Sequence, residues 1–207
     1  MAHTFLSLLI LVLALFSLNP TAECRSRARA YVEHQCRPTL YTDLCIRTLL
    51  PFASKINAPT PEQLARISLT SCLFKARLTK AYVNMVAQEF NKTSWSGRYY
   101  EAVTDCLSQI NDGVNQITQS VKEQKRMVHD GEKDFSWHES NVQTWVSTAL
   151  TDVTTCLDKI SDKAIGGKEK GMIKARFLNV KHLASNALAL FNRFATRHRA
   201  SRRIRTP

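Results

Sequence analysis

The side chains of widest chemical scope in this 207-residue chain are its six cysteines: Cys24, Cys36, Cys45, Cys72, Cys106 and Cys156. A cysteine serves as nucleophile, metal ligand or disulfide half, and its neighbours and compartment decide which. His34 is the one imidazole near Cys36 and Cys45, too little for a metal set. His138-Glu139 lacks the second histidine of a His-Glu-x-x-His zinc helix. No Gly-x-Ser-x-Gly elbow and no glycine-rich phosphate loop occur, and six glycines leave few sites for strained catalytic turns. The cysteines therefore read as disulfide partners in a binding protein, with no catalytic residue, metal site or cofactor.

The N-terminus supplies the oxidising compartment. Phe5 to Leu18 is almost wholly apolar and no Lys, Arg, Asp or Glu precedes Glu23. The run is short for a membrane span and ends in Asn19-Pro20-Thr21-Ala22, the pattern of a secretory signal cleaved after Ala22, or alternatively after Cys24. No later apolar run approaches the ~20 residues needed to cross a bilayer. The exported remainder, about 185 residues, suits one domain with a true core. Its net charge of +12 directs it to acidic polysaccharide or an acidic protein face, nucleic acid being the wrong polyanion for an exported chain. Asn91-Lys92-Thr93 is an N-glycosylation pattern, expected in a loop.

Helices must position these groups, because four long segments carry helical apolar periodicity and none alternates with period two. The first opens at Thr60-Pro61-Glu62-Gln63, a capping box with proline at the first helical position. Its stripe reads Leu64, Ile67, Phe74, Leu78, Tyr82, Met85 and Phe90. The second runs from about Gly97 to Val121 on Val103, Leu107, Ile110, Val114, Ile117 and Val121. The third starts with a further capping box, Ser136 to Glu139, and continues on Val142, Val146, Ala149, Val153, Cys156 and Ile160. The fourth follows Gly166-Gly167 on Ile173, Phe177, Val180, Ala184, Ala187, Phe191 and Phe194. Short links imply an all-α, up-down-up-down antiparallel four-helix bundle.

The cysteines fit that bundle. Cys106 lies 25 residues before Gly131, in the link between the second and third helices, and Cys156 lies 25 after it. Equal arms of an antiparallel hairpin put both at one height, and a bridge there is worth roughly 4 kcal/mol. Cys36 and Cys45 flank Pro38, so a bridge between them makes a small helical hairpin or stapled turn worth roughly 2–3 kcal/mol. Cys72 reads as a buried free thiol. Pairing of Cys24 with Cys72 stays open, since spacing alone does not give connectivity.

Cys36-Arg-Pro-Thr-Leu-Tyr-Thr-Asp-Leu-Cys45-Ile46 resembles the N-terminal signature of plant invertase and pectin methylesterase inhibitors. Glu101-Ala-Val-Thr-Asp-Cys106-Leu and Trp145 to Asp158, which contains Cys156, are similar to the same family. Leu183-Ala-Ser-Asn-Ala-Leu-Ala-Leu190 resembles the last helix of its pectin methylesterase branch. The resemblance implies a disulfide-stapled bundle with an N-terminal helical-hairpin extension, first cysteine paired with second and third with fourth. Invertase inhibitors carry Pro-Lys-Phe before the third bundle helix. Here Lys133 and Phe135 stand without the proline, which favours the pectin methylesterase branch. With no catalytic domain before Pro207, a stand-alone inhibitor is expected.

The expected organisation is a signal peptide at 1–22, the hairpin extension at 23–59, the bundle at 60–195 and a basic C-terminal tail at 196–207. The resemblance implies a one-to-one complex in the cell wall (the apoplast), with the bundle over the substrate cleft of pectin methylesterase. Thr148, Thr151, Asp152 and Thr155 on the third bundle helix are the expected contacts, with Asn111, Asn115 and Thr118 on the second. An acid invertase is the alternative partner. The arginines from Arg193 to Arg205 read either as a frayed solvated end or as a tether to de-esterified pectin. Trp145 is expected in the core.

Overall fold

The computed structural model describes residues 20–56, 58–92, 97–129, 134–161 and 168–205. The apolar leader Phe5–Leu18, Trp95, the Gly131 turn and the Gly166-Gly167 break lie outside the described residues. Six helices follow in order: α1 Pro20–Cys36, α2 Thr42–Ala53, α3 Pro61–Lys92, α4 Arg98–His129, α5 Phe135–Ser161 and α6 Lys168–Arg205. No strand occurs among the described residues. Helices α3 to α6 form a closed ring in which each packs on the next and α6 returns to α3, and the α4–α5 pair is the most extensive.

The seams read from the sequence form the core on three of the four helices. Ile110 and Ile117 of α4, Val142 and Val153 of α5, and Phe177 and Phe191 of α6 are all shielded from solvent. Each such side chain contributes roughly 1.5–3 kcal/mol by burial. The α3 stripe is different. Phe74, Leu78 and Met85 are exposed at 59%, 43% and 57%, and Leu69, Cys72, Leu73, Ala76, Val83 and Val86 point inward. Helix α3 packs on both α4 and α6, and small residues such as Ala76 let it approach two neighbours at once. Phe74, Leu78 and Met85 are left outside. Cys72 is fully buried with its thiol toward the Val180 carbonyl oxygen, and burial pushes its pKa up to about 12. Cys72 is a free thiol, so the thiol reading of Cys72 stands.

The ends of the helices follow local chemistry. Thr60 N–H donates to Gln63 Oε1 at 3.0 Å and Gln63 N–H donates to Thr60 Oγ1 at 3.2 Å, the reciprocal capping box. The box expected at Ser136 does not form. Helix α5 already begins at Phe135, which is buried against Phe194 and stacked on His198, and Glu139 accepts instead from Arg199 and Gln143. Helix α3 runs to Lys92, so Asn91 lies in its last turn rather than in a loop.

The α1–α2 hairpin is closed by the Cys36–Cys45 disulfide, with Cα atoms 5.7 Å apart. Asn186 of α6 fastens the hairpin turn to the bundle. Its Nδ2 donates to the Tyr41 carbonyl at 2.9 Å and its Oδ1 accepts from Tyr41 N–H at 3.2 Å, satisfying backbone groups that the turn leaves open. The Tyr41 ring stacks on His182 with centroids 3.7 Å apart.

The basic C-terminus is no frayed tail. Helix α6 continues to Arg205, through residues without a helix breaker, and it is docked. His198 stacks on Phe135, Arg199 pairs with Glu139, and Arg193 and Arg197 stand near enough to Tyr31 of α1 for their charges to act on its hydroxyl.

Candidate partner-binding face

Two fastenings make α4 and α5 one rigid unit. The Cys106–Cys156 disulfide is fully buried and holds the helices with Cα atoms 4.8 Å apart. Lys159 of α5 pairs with Asp105 of α4 beside it, at the surface. Toward the other end of the pair, the buried Glu123 carboxylate of α4 faces three residues. Asn141 Nδ2 donates to it at 2.7 Å, His138 Nδ1 lies 3.0 Å away, and Arg126 donates at 3.1 Å. His138, in the first turn of α5, is buried as the partner of a carboxylate fifteen residues upstream.

Burial pushes the Glu123 carboxyl up. The hydrogen bonds from Asn141 and His138, the His138 charge and the Arg126 hydrogen bond outweigh that and hold it below the ordinary carboxylate value. A depressed carboxylate stabilises the fold fully above its unfolded pKa, about 4.3, and the contribution is lost as pH falls through the folded value. Glu123→Gln is expected to cost about 1–2 kcal/mol at pH 6. Urea unfolding of both proteins across pH 3–7 checks this: the gap closes below about pH 4, and a pH-independent gap speaks against the charge.

The outer face of α5 is a ladder of hydroxyls. Thr148, Thr151 and Thr155 each donate to the carbonyl four residues earlier, at 2.9, 3.2 and 3.0 Å. The donor of each is used internally, and the oxygen lone pairs remain for a partner. Gln143, Thr144, Ser147, Thr148 and Thr151 line a shallow depression of about 540 Å³. Asp152 borders this face. Burial pushes its carboxyl up, the charge of Asp112 adds to the effect, and its Oδ2 is buried with no hydrogen-bond partner among the described residues. Trp137 is 68% exposed and stands one heptad before Thr144 on the same helical stripe. Sequence reading assigned it no role, although an exposed tryptophan in line with Thr144 and Thr151 was there to be found. Trp145 is half-buried.

Asn111, Asn115 and Thr118 of α4 are not among the residues that line this depression. Asn111 and Thr118 stand at heptad spacing with Lys125, which lines a groove toward α3 together with Val121. Asp105 and Asp112 are the α4 residues that meet α5 there. Thr118 donates to the Val114 carbonyl at 2.7 Å, Asn115 is exposed, and Asn111 Oδ1 is buried without a partner among the described residues. Asn111 and Thr118 thus share the Lys125 stripe of α4, apart from Asp105 and Asp112, and Asn115 is exposed between the two stripes. No group of three or more potential metal ligands occurs among the described residues.

Known proteins share this architecture. Residues 30–190 match the family described as plant invertase/pectin methylesterase inhibitor. The chain is 40% identical over 192 residues to "Pectinesterase inhibitor 9" of Arabidopsis thaliana, covering 92% of this chain and 93% of that protein. It is 34% identical over 194 residues to a "21 kDa protein" of Daucus carota, covering 93% and 94%. Its fold is similar to the crystal structure of a mutant form of a pectin methylesterase inhibitor from Arabidopsis. The TM-score is 0.57 at 19% identity, over 76% of this chain and 92% of that one.

Proposed function

Because the chain belongs to the plant invertase/pectin methylesterase inhibitor family, we propose that it is an exported inhibitor of pectin methylesterase in the cell wall. It performs no chemistry of its own. It lays the α5 face over the enzyme's substrate cleft in a one-to-one complex and keeps pectin out. The observation that carries this reading is the hydroxyl ladder of Thr148, Thr151 and Thr155 on a helix clamped to α4. A face already ordered before binding loses little conformational freedom when the complex forms. The exposed Trp137 is suited to an anchor at the end of the face. Asn91, in the last turn of α3, is the proposed glycosylation site.

The invertase alternative is weaker. Phe135, half of the incomplete Lys-Phe signature, is buried against α6 and is not presented to a partner. Titrating the purified protein into pectin demethylesterification and into sucrose hydrolysis by acid invertase, at mildly acidic pH, tests the choice. Stoichiometric loss of the first alone is expected; loss of the second alone reverses the assignment.

A second reading rests on the basic end of α6, where Arg193, Arg197, Arg199 and Arg202 fall within its last four turns. That end is a candidate contact for de-esterified pectin. A chain truncated after Phe194 separates the two readings. It is expected to keep inhibition at 25 °C, to lose salt-sensitive retention on de-esterified pectin, and to melt several degrees lower because His198 and Arg199 are gone. Unchanged retention on pectin would remove the second reading.

A further inference from the structure

Helix α2 lies beside α3 without closing onto it. Between them is a groove of about 1050 Å³, with Ile67, Val121 and Leu183 among its lining and an exposed phenylalanine contributed by each helix, Phe52 from α2 and Phe74 from α3. These are 49% and 59% exposed, although aromatic side chains ordinarily find cover in a core of this size. Arg47, Arg66, Lys75 and Lys125 line the same groove, and no carboxylate does among the described residues. None of the four cations is held in an ion pair among the described residues.

We propose that this groove is a binding site for a single-chain amphipathic carboxylate, a medium-length acyl chain with a terminal carboxylate. The apolar chain lies between Phe52 and Phe74 and the carboxylate meets the cations. Charge complementarity selects an anion: four unneutralised positive side chains around an apolar floor attract one and repel a cationic amphiphile. Size selects a small molecule. The α2 lining from Leu44 to Phe52 spans about 12 Å at the helical rise, and the volume is at the upper end of small-molecule sites. The few exposed apolar side chains fall well short of the ~800 Å² per partner that a stable protein interface buries. None of the groove's residues belongs to the α5 face, so the site is independent of the inhibitory reading.

Calorimetric titration of the whole exported chain with decanoate, and separately with decyltrimethylammonium, tests the proposal. Saturable one-to-one binding of decanoate is expected, with none of the cation. Phe52→Ala and Phe74→Ala should each weaken it by at least about tenfold. Lys75→Glu with Lys125→Glu should weaken it severalfold and flatten its salt dependence. Both phenylalanines are solvent-exposed, so these variants are expected to fold, and circular dichroism melts verify that. The idea is overturned by absence of saturable decanoate binding, by equal binding of the cation, or by affinity indifferent to both alanine variants. It is also overturned if sedimentation shows a dimer that Phe74→Ala disperses and decanoate does not, since a second copy then covers the groove.

Discussion

Replacing Cys106 and Cys156 together with Ala is expected to lower the unfolding free energy by about 4 kcal/mol, a fall in melting temperature of roughly 8–16 °C for a domain of this size. The loop the bridge closes spans 50 residues, and freeing it returns that chain entropy to the unfolded state. The same pair of substitutions is expected to weaken inhibition by about tenfold at a temperature where the protein is still folded. The helices remain packed through Val146, Val153 and the Glu123 cluster, but their spacing is no longer fixed at the Cys106–Cys156 level. The double variant is the cleaner experiment, because a single Cys156→Ala leaves a new thiol at Cys106. Denaturant unfolding and inhibition titrations on the same preparations check both numbers. If stability falls and inhibition does not, the α4–α5 clamp serves folding alone.

A different outcome is expected at Thr151. It is exposed, and its hydroxyl is tied only to its own helix, so Thr151→Trp should leave stability within about 0.5 kcal/mol. Inhibition should fall by at least about a hundredfold, near 3 kcal/mol, because a bulky ring in the middle of a complementary face prevents close approach. Trp137→Ala should weaken binding by losing an anchor, again without unfolding the protein. Equal inhibition by wild type and Thr151→Trp would show that α5 is not the contact face, whatever the enzyme inhibited. The two experiments are complementary: one alters the support of the face and the other the face itself.

Much of this was legible in the sequence because it is local or periodic. The seams of α4, α5 and α6, the Thr60–Gln63 box and the symmetric placing of Cys106 and Cys156 all follow from spacing within one or two helices. The misses have a common cause in contacts between distant segments. On α3 the large apolar residues drew the stripe, whereas contact with two neighbours required small ones, so Phe74 and Met85 were assigned to the wrong side. Glu123 and His138 are ordinary polar residues until the antiparallel register brings them together. Asn186 was noticed only as part of a resemblance, and its two hydrogen bonds to Tyr41 span 145 residues. The arginine-rich end looked like a tail because charge alone does not reveal that Tyr31 and Glu139 stand opposite it.

The burial of Cys72 bears on the history of each molecule rather than on its final state. During oxidative maturation the unfolded chain exposes this thiol beside the four that must pair correctly, and any thiolate can attack a mixed or wrong bridge. Once α3 docks onto α6, the sulfur is enclosed and its ionisation is suppressed. Exchange through this thiol then stops. Completion of the core therefore withdraws Cys72 from the competition for bridges. Molecules that bridge first are thereby protected from later reshuffling by Cys72.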